Sequence, residues 1–435
     1  MEKRSFNSLV EQSLGRRLPD ALAERVSMDE MSPESRGVTR RLLTLMQRAA
    51  CPATEFTPHM IWLLSTVTPG MLPPAWGGRI PPVTAPGRHR KLDTLVSRRN
   101  GSGRGKRPVF VDLGCGFPPL TTVDTARHLP DWSVFGVDRS FAPYVLYDAA
   151  DNYACFGADG SFQYFQPQMK PLHENPAESR ARFESLFKQL SPALNTDNDG
   201  ASLTVEKNGN RLVRNHIRDF EDRHLRFIEA DIEVLQVPPA RSIRCMNVLL
   251  YFEKSLRDRL RSLVGSLLDY GGELICGFNH PAGIYARYAI YKRETHGASP
   301  VEFAFSPDNL RPLGIGPFLT IQEEDEEAEL LADLTGAIRA DPTFWPGFHR
   351  FVDTQRSQLG ICRRGKDGYN QFPPEAQSAL PPETMRKTAE LWRWVEAAGY
   401  VDGAVAALSR AGYKVWKNPV GDIAVLPPEG SLPAM

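Results

Sequence analysis

The stretch RPVFVDLGCGFPPLTTVDTARHLPDWSVFGVDRS, Arg107 to Ser140, decides how the chain is read. Val109 to Leu113 is an apolar run of strand length, and Gly114-Cys115-Gly116 breaks it sharply because glycine alone accepts a positive φ without steric cost. Pro118 and Pro119 suit the first turn of a helix, where a missing N–H has no partner to lose, and Leu120, Val123, Ala126 and Leu129 share one helical face. Pro130-Asp131 ends that helix. Val134 to Val137 is a second strand, with Asp138 at its carboxyl end. This is a βαβ unit of a doubly wound sheet. In such a unit a ligand sits beyond the carboxyl ends of the strands, and an acidic residue about 20 positions past the glycines takes the hydroxyls of a ribose.

A dinucleotide would want a third glycine and free amide donors at the helix start for its pyrophosphate. Phe117-Pro118-Pro119 supplies neither. The string VDLGCG followed by Asp138 resembles motif I and its acidic successor in class I S-adenosylmethionine-dependent methyltransferases, whose cofactor carries a ribose and a sulfonium but no phosphate. Phe-Pro stands where that family has a small residue and a glycine.

The resemblance continues downstream. Leu225 to Ala230 reads as a third strand followed by Asp231-Ile232, as in the family's third motif, where a carboxylate and its neighbour flank the adenine. Ser242 to Phe252 is a fourth strand, Lys254 to Leu268 a helix, Asp269-Tyr270-Gly271-Gly272 a turn, and Glu273 to Phe278 a fifth strand. The CxNVLLYF stretch and the paired glycines are similar to chemotaxis-receptor glutamate methyltransferases, over this short segment only.

The resemblance implies a Rossmann-like seven-stranded doubly wound α/β sheet and S-adenosyl-L-methionine as cofactor, with S-adenosyl-L-homocysteine as product. It implies Asp112, Gly114, Cys115, Gly116, Asp138, Asp231, Ile232 and Asn247 as cofactor-binding residues. Methyl transfer from a sulfonium is an in-line displacement that depends on alignment more than on acid–base groups. Tyr251 and His280, at strand ends, are the catalytic candidates, since His280 can accept a proton from a hydroxyl or amine nucleophile. A packed aromatic and a turn cap are the plain alternatives for these two. Three functions fit: methyl transfer to a small organic molecule, methyl transfer to a protein carboxylate, and cofactor binding without turnover in a scaffold or regulator.

The rest of the chain surrounds this core. Residues 1–84 show helical periodicity, at Phe6, Leu9, Val10 and Leu14 and again at Val38, Leu42, Leu45 and Met46. They are expected to cover substrate or to form a homodimer contact. Residues 85–106 carry Arg88, Arg90, Lys91, Arg98, Arg99, Arg104 and Lys106 with an NGSGRG run, and read as a basic linker. The core is expected over 107–367, interrupted by an α+β insertion at 141–224. That insertion holds an aromatic strand (DGSFQYFQ, 159–166), a helix at Glu178 to Leu190 and a hairpin turning at Asn208-Gly209. Beyond it, Ala282 to Thr295 reads as a helix, Phe318 to Gln322 and Gln358 to Arg363 as strands six and seven, and 368–435 as a small C-terminal α+β unit.

Lys+Arg and Asp+Glu both number 52, which gives no drive toward nucleic acid or an anionic membrane surface. The basic run lacks the interleaved aromatics of a single-strand binder. Six dispersed cysteines without a C-x-x-C pair argue against a disulfide or zinc framework, and no metal site is expected. No apolar run reaches the roughly 20 residues of a membrane span, and the amino end shows no signal-peptide pattern, so the expected location is cytoplasmic.

Overall fold

In the computed structural model, which describes residues 5–72, 84–99, 107–166, 176–194, 203–280, 284–378 and 380–435, the predicted βαβ unit is β1 (Val109–Leu113), α6 (Leu120–His128) and β2 (Ser133–Asp138). The two prolines stand just ahead of α6, with Pro119 as its N-cap. β8 (Leu225–Glu229), β9 (Ala240–Met246) and β10 (Leu268–Phe278) join β1 and β2 in parallel, in the order β8-β2-β1-β9-β10. Helix α8 (Lys254–Ser266) makes the crossover from β9 to β10. The expected turn at 269–272 is a bulge inside β10, where the register with β9 shifts between Leu268 and Glu273.

Beyond β10 the sheet departs from the expectation of seven doubly wound strands. β11 (Arg287–Glu294) and β12 (Gly297–Phe305) form an antiparallel meander, and β15 (Val415–Lys417) and β16 (Ile423–Val425) complete a nine-stranded sheet at that edge. The helix expected at 282–295 is therefore the strand β11. Its residues are buried on both faces, Tyr288 and Ile290 toward one core and Ala289 and Tyr291 toward the other, so no alternation marks it in the sequence. Phe318 to Gln322 is irregular chain packed under the N-terminal helices. Gln358 closes a helix, and Arg363–Arg364 (β13) pairs with Asn370–Gln371 (β14) in a separate ribbon.

The N-terminal region contributes α1 (Phe6–Leu14), α2 (Asp20–Ala23), α3 (Pro33–Arg48) and α4 (Pro58–Trp62), joined in one core with Ile315, Phe318, Leu319 and Ile321. Much of the expected linker is helix α5 (Arg90–Arg99). Leu92, Leu95 and Val96 are buried, while Arg99 reaches Glu273 and Glu302 and Lys91 reaches Asp422. The expected linker residues Arg104 and Lys106 lie outside the described residues.

The insertion is a five-stranded antiparallel sheet, β5-β4-β3-β7-β6, built from β3 (Tyr144–Tyr147), β4 (Tyr153–Phe156), β5 (Phe162–Gln166), β6 (Thr204–Lys207) and β7 (Asn210–Arg214). One face packs on α7 (Pro176–Leu194) through Leu146, Phe156 and Leu212. The other sends Val145, Cys155 and Tyr164 into the core that also holds Cys115 and Phe117 of the glycine turn. Asn208 at φ 53° and Gly209 at φ 76° form the expected turn between β6 and β7.

Within the expected C-terminal unit, 368–435, lie two helices that pack beside two earlier ones. α9 (Glu326–Ala340), α10 (Trp345–Gln358), α11 (Pro382–Ala397) and α12 (Tyr400–Arg410) share the main core with β10, β11 and β12. Among the described residues no helix is long and apolar enough to cross a membrane.

Candidate active site

The strand order reverses at β1: the chain moves outward through β2 to β8 on one side and through β9 to β10 on the other. A crevice must open beyond the carboxyl ends of β1 and β9 at such a point. A cavity of about 910 Å³ occupies it, near the top of the roughly 300–1,000 Å³ range of small-molecule sites.

The floor is the glycine turn. Gly114 and Cys115 both donate their N–H to the Val137 carbonyl, at 2.8 and 3.1 Å, which ties the turn to β2. Gly114 at φ 76° and Gly116 at φ 63° hold left-handed backbone. A Cβ on Gly114 would meet Val248 Cγ2 at 2.5 Å, so its absence makes room for the segment after β9. Cys115 lines the cavity, and its sulfur packs close to Gly136 in the core.

Asp138 lies at the rim of the turn. Its carboxylate accepts the Gly116 N–H at 2.8 Å and the Ser140 N–H at 3.3 Å. Burial raises its pKa, against those amide bonds. Asp231 and Ile232 line the same end, where Asp231 accepts the Glu233 N–H at 3.1 Å and faces Arg139 at 3.4 Å.

Although Asp112 borders the cavity, its oxygens take Arg244 Nε at 2.9 Å, Arg244 Nη2 at 2.8 Å and Thr122 Oγ1 at 2.6 Å. Arg244 also donates to Asp93 at 2.6 Å and to Thr125 at 2.9 Å. Burial opposes the Arg244 charge, but Asp112 and Asp93 outweigh it and raise its pKa. With two carboxylates to one guanidinium, burial pushes Asp93 up to about 6. This buried network locks β1 to β9 and engages both Asp112 oxygens, while Asp112 still borders the cavity.

The fourth strand ends earlier than expected, at Met246, and a short 3-10 turn, Leu249–Tyr251, follows. Asn247 takes φ 61° there and exchanges amide bonds with Asn279: Nδ2 donates to Asn279 Oδ1 at 2.8 Å, and its own Oδ1 accepts the Asn279 N–H at 3.0 Å. Asn247 thus clasps the ends of β9 and β10 together.

Tyr251 and His280 both reach the cavity wall. Burial pushes the Tyr251 hydroxyl up to about 12, so it stays a donor at neutral pH. Burial, with Arg88 and His59 adding to it, holds His280 down to about 4, so it stands neutral and weakly basic at neutral pH.

Three wall residues escaped the sequence reading. Arg88 donates from Nε to Asn279 Oδ1 at 3.3 Å and from Nη2 to the Asn279 carbonyl at 3.0 Å. His59, at the start of α4, bonds the Ser378 carbonyl through Nδ1 at 3.2 Å. Tyr285 donates its N–H to Asp308 at 3.0 Å, and its hydroxyl accepts the Leu313 N–H at 3.0 Å, which fixes the 313–316 loop. The available signal for Arg88 was the i, i+3, i+4 spacing of Leu92, Leu95 and Val96, masked by the density of basic residues around them.

No family model and no curated protein matches the chain. Among solved structures it is similar to magnesium protoporphyrin IX methyltransferase from Synechocystis PCC 6803 with bound S-adenosyl-L-homocysteine, at 15% identity and TM-score 0.21, over 44% of this chain and 55% of that one. An O-methyltransferase family protein from Burkholderia thailandensis matches at 13% identity and TM-score 0.20, over 43% and 37%. The N-methyltransferase NodS from Bradyrhizobium japonicum WM9, in complex with S-adenosyl-L-homocysteine, matches at 12% identity and TM-score 0.21, over 45% and 63%. The chain spans less than two thirds of the length of each, and at these scores the site has to be read from its own residues.

Proposed function

We propose that this protein binds S-adenosylmethionine in the crevice and transfers its methyl group to a small organic acceptor by in-line displacement. The observation that carries the reading is Asp138: a carboxylate at the end of β2, anchored by the Gly116 N–H at 2.8 Å, beside the strand-order reversal. A carboxylate so placed suits the two hydroxyls of a ribose. Pro118 and Pro119 ahead of α6 leave few amide donors for a pyrophosphate, which favours a nucleoside cofactor without one.

The cofactor supplies an activated methyl group on sulfur. The chain's task is then to align a nucleophile with it and keep water out, and proximity of this kind supplies much of the rate. His280, neutral in its buried setting, can accept a hydrogen bond from a hydroxyl or amine acceptor, its low pKa making it a weak base, and Tyr251 remains a hydrogen-bond donor. The acceptor end is walled by α4, the 313–316 loop and α11 through His59, Gly314 and Met385, while the insertion reaches the cavity through Ala142 and Tyr164. The N-terminal helices, more than the insertion, therefore form the acceptor wall.

Calorimetric titration tests the reading. S-Adenosylhomocysteine is expected to bind at least tenfold more tightly than NAD, and equal or reversed affinities would overturn it.

A further inference from the structure

The two ends of the cavity differ in their polar groups, and the carboxylates at one of them have cations beside them: Arg139 faces Asp231 and Arg259 pairs with Glu233. Asp138 follows β2, and Asp231 and Glu233 follow β8, whereas Asn279 and His280 follow β10. With the order β8-β2-β1-β9-β10 and a strand spacing of about 4.8 Å, the β2 and β10 ends stand about 14 Å apart and the β8 and β10 ends about 19 Å apart. The acidic lining is thus gathered at one end. At the other, Arg88, His59 and His280 lie close enough that the fields of Arg88 and His59 both help hold His280 in its neutral form.

We propose that this second end is a subsite for a carboxylate carried on an apolar body, with Arg88 and the Tyr251 hydroxyl as its donors. The word "acceptor" for that molecule rests on the methyl-transfer reading; the anion subsite does not. Arg88 donates to the Asn279 side chain and carbonyl, and burial lowers it only to about 10, so it is charged at neutral pH. Arg88 and the Tyr251 phenol are near enough to influence each other electrostatically, and Tyr251 is held protonated. A guanidinium and a hydroxyl together match the two oxygens of a carboxylate. The remaining wall offers Leu63, Val67, Ile315, Leu319 and Met385, apolar surface for the rest of the molecule. Asp112, the carboxylate at the floor, accepts its hydrogen bonds from Arg244 and Thr122, while its field still reaches Arg88.

The test uses benzoate as probe and benzamide as its uncharged counterpart, titrated into the full chain by ligand-observed NMR, with and without saturating S-adenosylhomocysteine. Benzoate is expected to bind at least tenfold more tightly than benzamide. Arg88→Gln should erase that preference, Arg88→Lys should keep part of it, and S-adenosylhomocysteine affinity should stay within threefold in both. Tyr251→Phe, which keeps the ring in place, should weaken benzoate several-fold and carries the test if Arg88→Gln melts early. Equal binding of the two probes by the parent overturns the proposal, as does an unchanged preference in a folded Arg88→Gln chain. Competition between benzoate and S-adenosylhomocysteine, with loss of both in Arg88→Gln, also overturns it by assigning Arg88 to the cofactor. If S-adenosylhomocysteine fails to bind while the Arg88-dependent preference for benzoate persists, the subsite stands and the methyl-transfer reading falls.

Discussion

Replacing Arg244 by methionine removes the guanidinium that holds β1 against β9 and leaves Asp112 and Asp93 buried without their cation. Such carboxylates take up protons instead of staying charged, which bounds the cost. Keeping an aspartate protonated at pH 7 against an ordinary value near 3.9 costs about 4 kcal/mol, falling to about 1.5 kcal/mol at pH 5. Asp93, already pushed up to about 6 in the parent, adds about 1.4 kcal/mol at pH 7 and almost nothing at pH 5. The variant should therefore be destabilised by about 5 kcal/mol at pH 7 and about 1.5 kcal/mol at pH 5. The sign follows from folded-state carboxyls with raised pKa: their contribution is intact at low pH and is lost as pH rises through the folded value. Urea unfolding of parent and variant at pH 5, 6, 7 and 8, followed by tryptophan fluorescence, reads the difference directly. A deficit that is the same at pH 5 and pH 7 would refute the reasoning. So would a deficit under 1 kcal/mol at pH 7. A loss of cofactor affinity with unchanged stability would place Asp112 in the cofactor's shell.

Gly114→Ala should cost about 1–2 kcal/mol for its left-handed backbone, plus the clash of its Cβ with Val248 at 2.5 Å. Adding Val248→Ala should restore only the steric part, which thermal melts of the single and double variants would show. Burial, with Asp325 adding to it, pushes the Glu327 carboxyl up to about 7, so its ionisation opposes folding as pH rises through that value. Glu327→Gln should gain up to about 3 kcal/mol at pH 8 and lose that gain by pH 4. A flat difference between the two urea midpoints across that range would contradict the assignment.

What the sequence made legible was local. The β1–α6–β2 unit, β8, α8 and the Asn208-Gly209 turn each announce themselves within a dozen or so residues, through strand runs, glycine breaks and helical spacing. The two edges of the main sheet did not. β11 is buried on both faces and so lacks alternation, and its Tyr288 and Tyr291 fit a helical spacing equally well. Phe318, Leu319 and Ile321 are apolar because the N-terminal helices cover them, not because they lie in a strand. The basic character of 85–99 suggested a solvated linker, yet Arg99 pairs with Glu273 and Glu302, partners 174 and 203 residues away. The candidate site divides in the same way. Asp138 and the glycines follow from one motif. The ion pair of Asp112, in that same motif, was not legible because Arg244 lies 132 residues on, and Arg88 and His59 reach the cavity only through tertiary packing.

The central claim is that Asp138 holds the ribose of a sulfonium nucleoside, and the affinity of Asp138→Ala for S-adenosylhomocysteine tests it most directly. Two hydrogen bonds to a charged carboxylate, at about 1.5–3 kcal/mol each, predict a loss of roughly a hundredfold or more by calorimetry, in a variant whose circular dichroism matches the parent. An Asp138→Ala chain that binds S-adenosylhomocysteine as tightly as the parent would contradict the account.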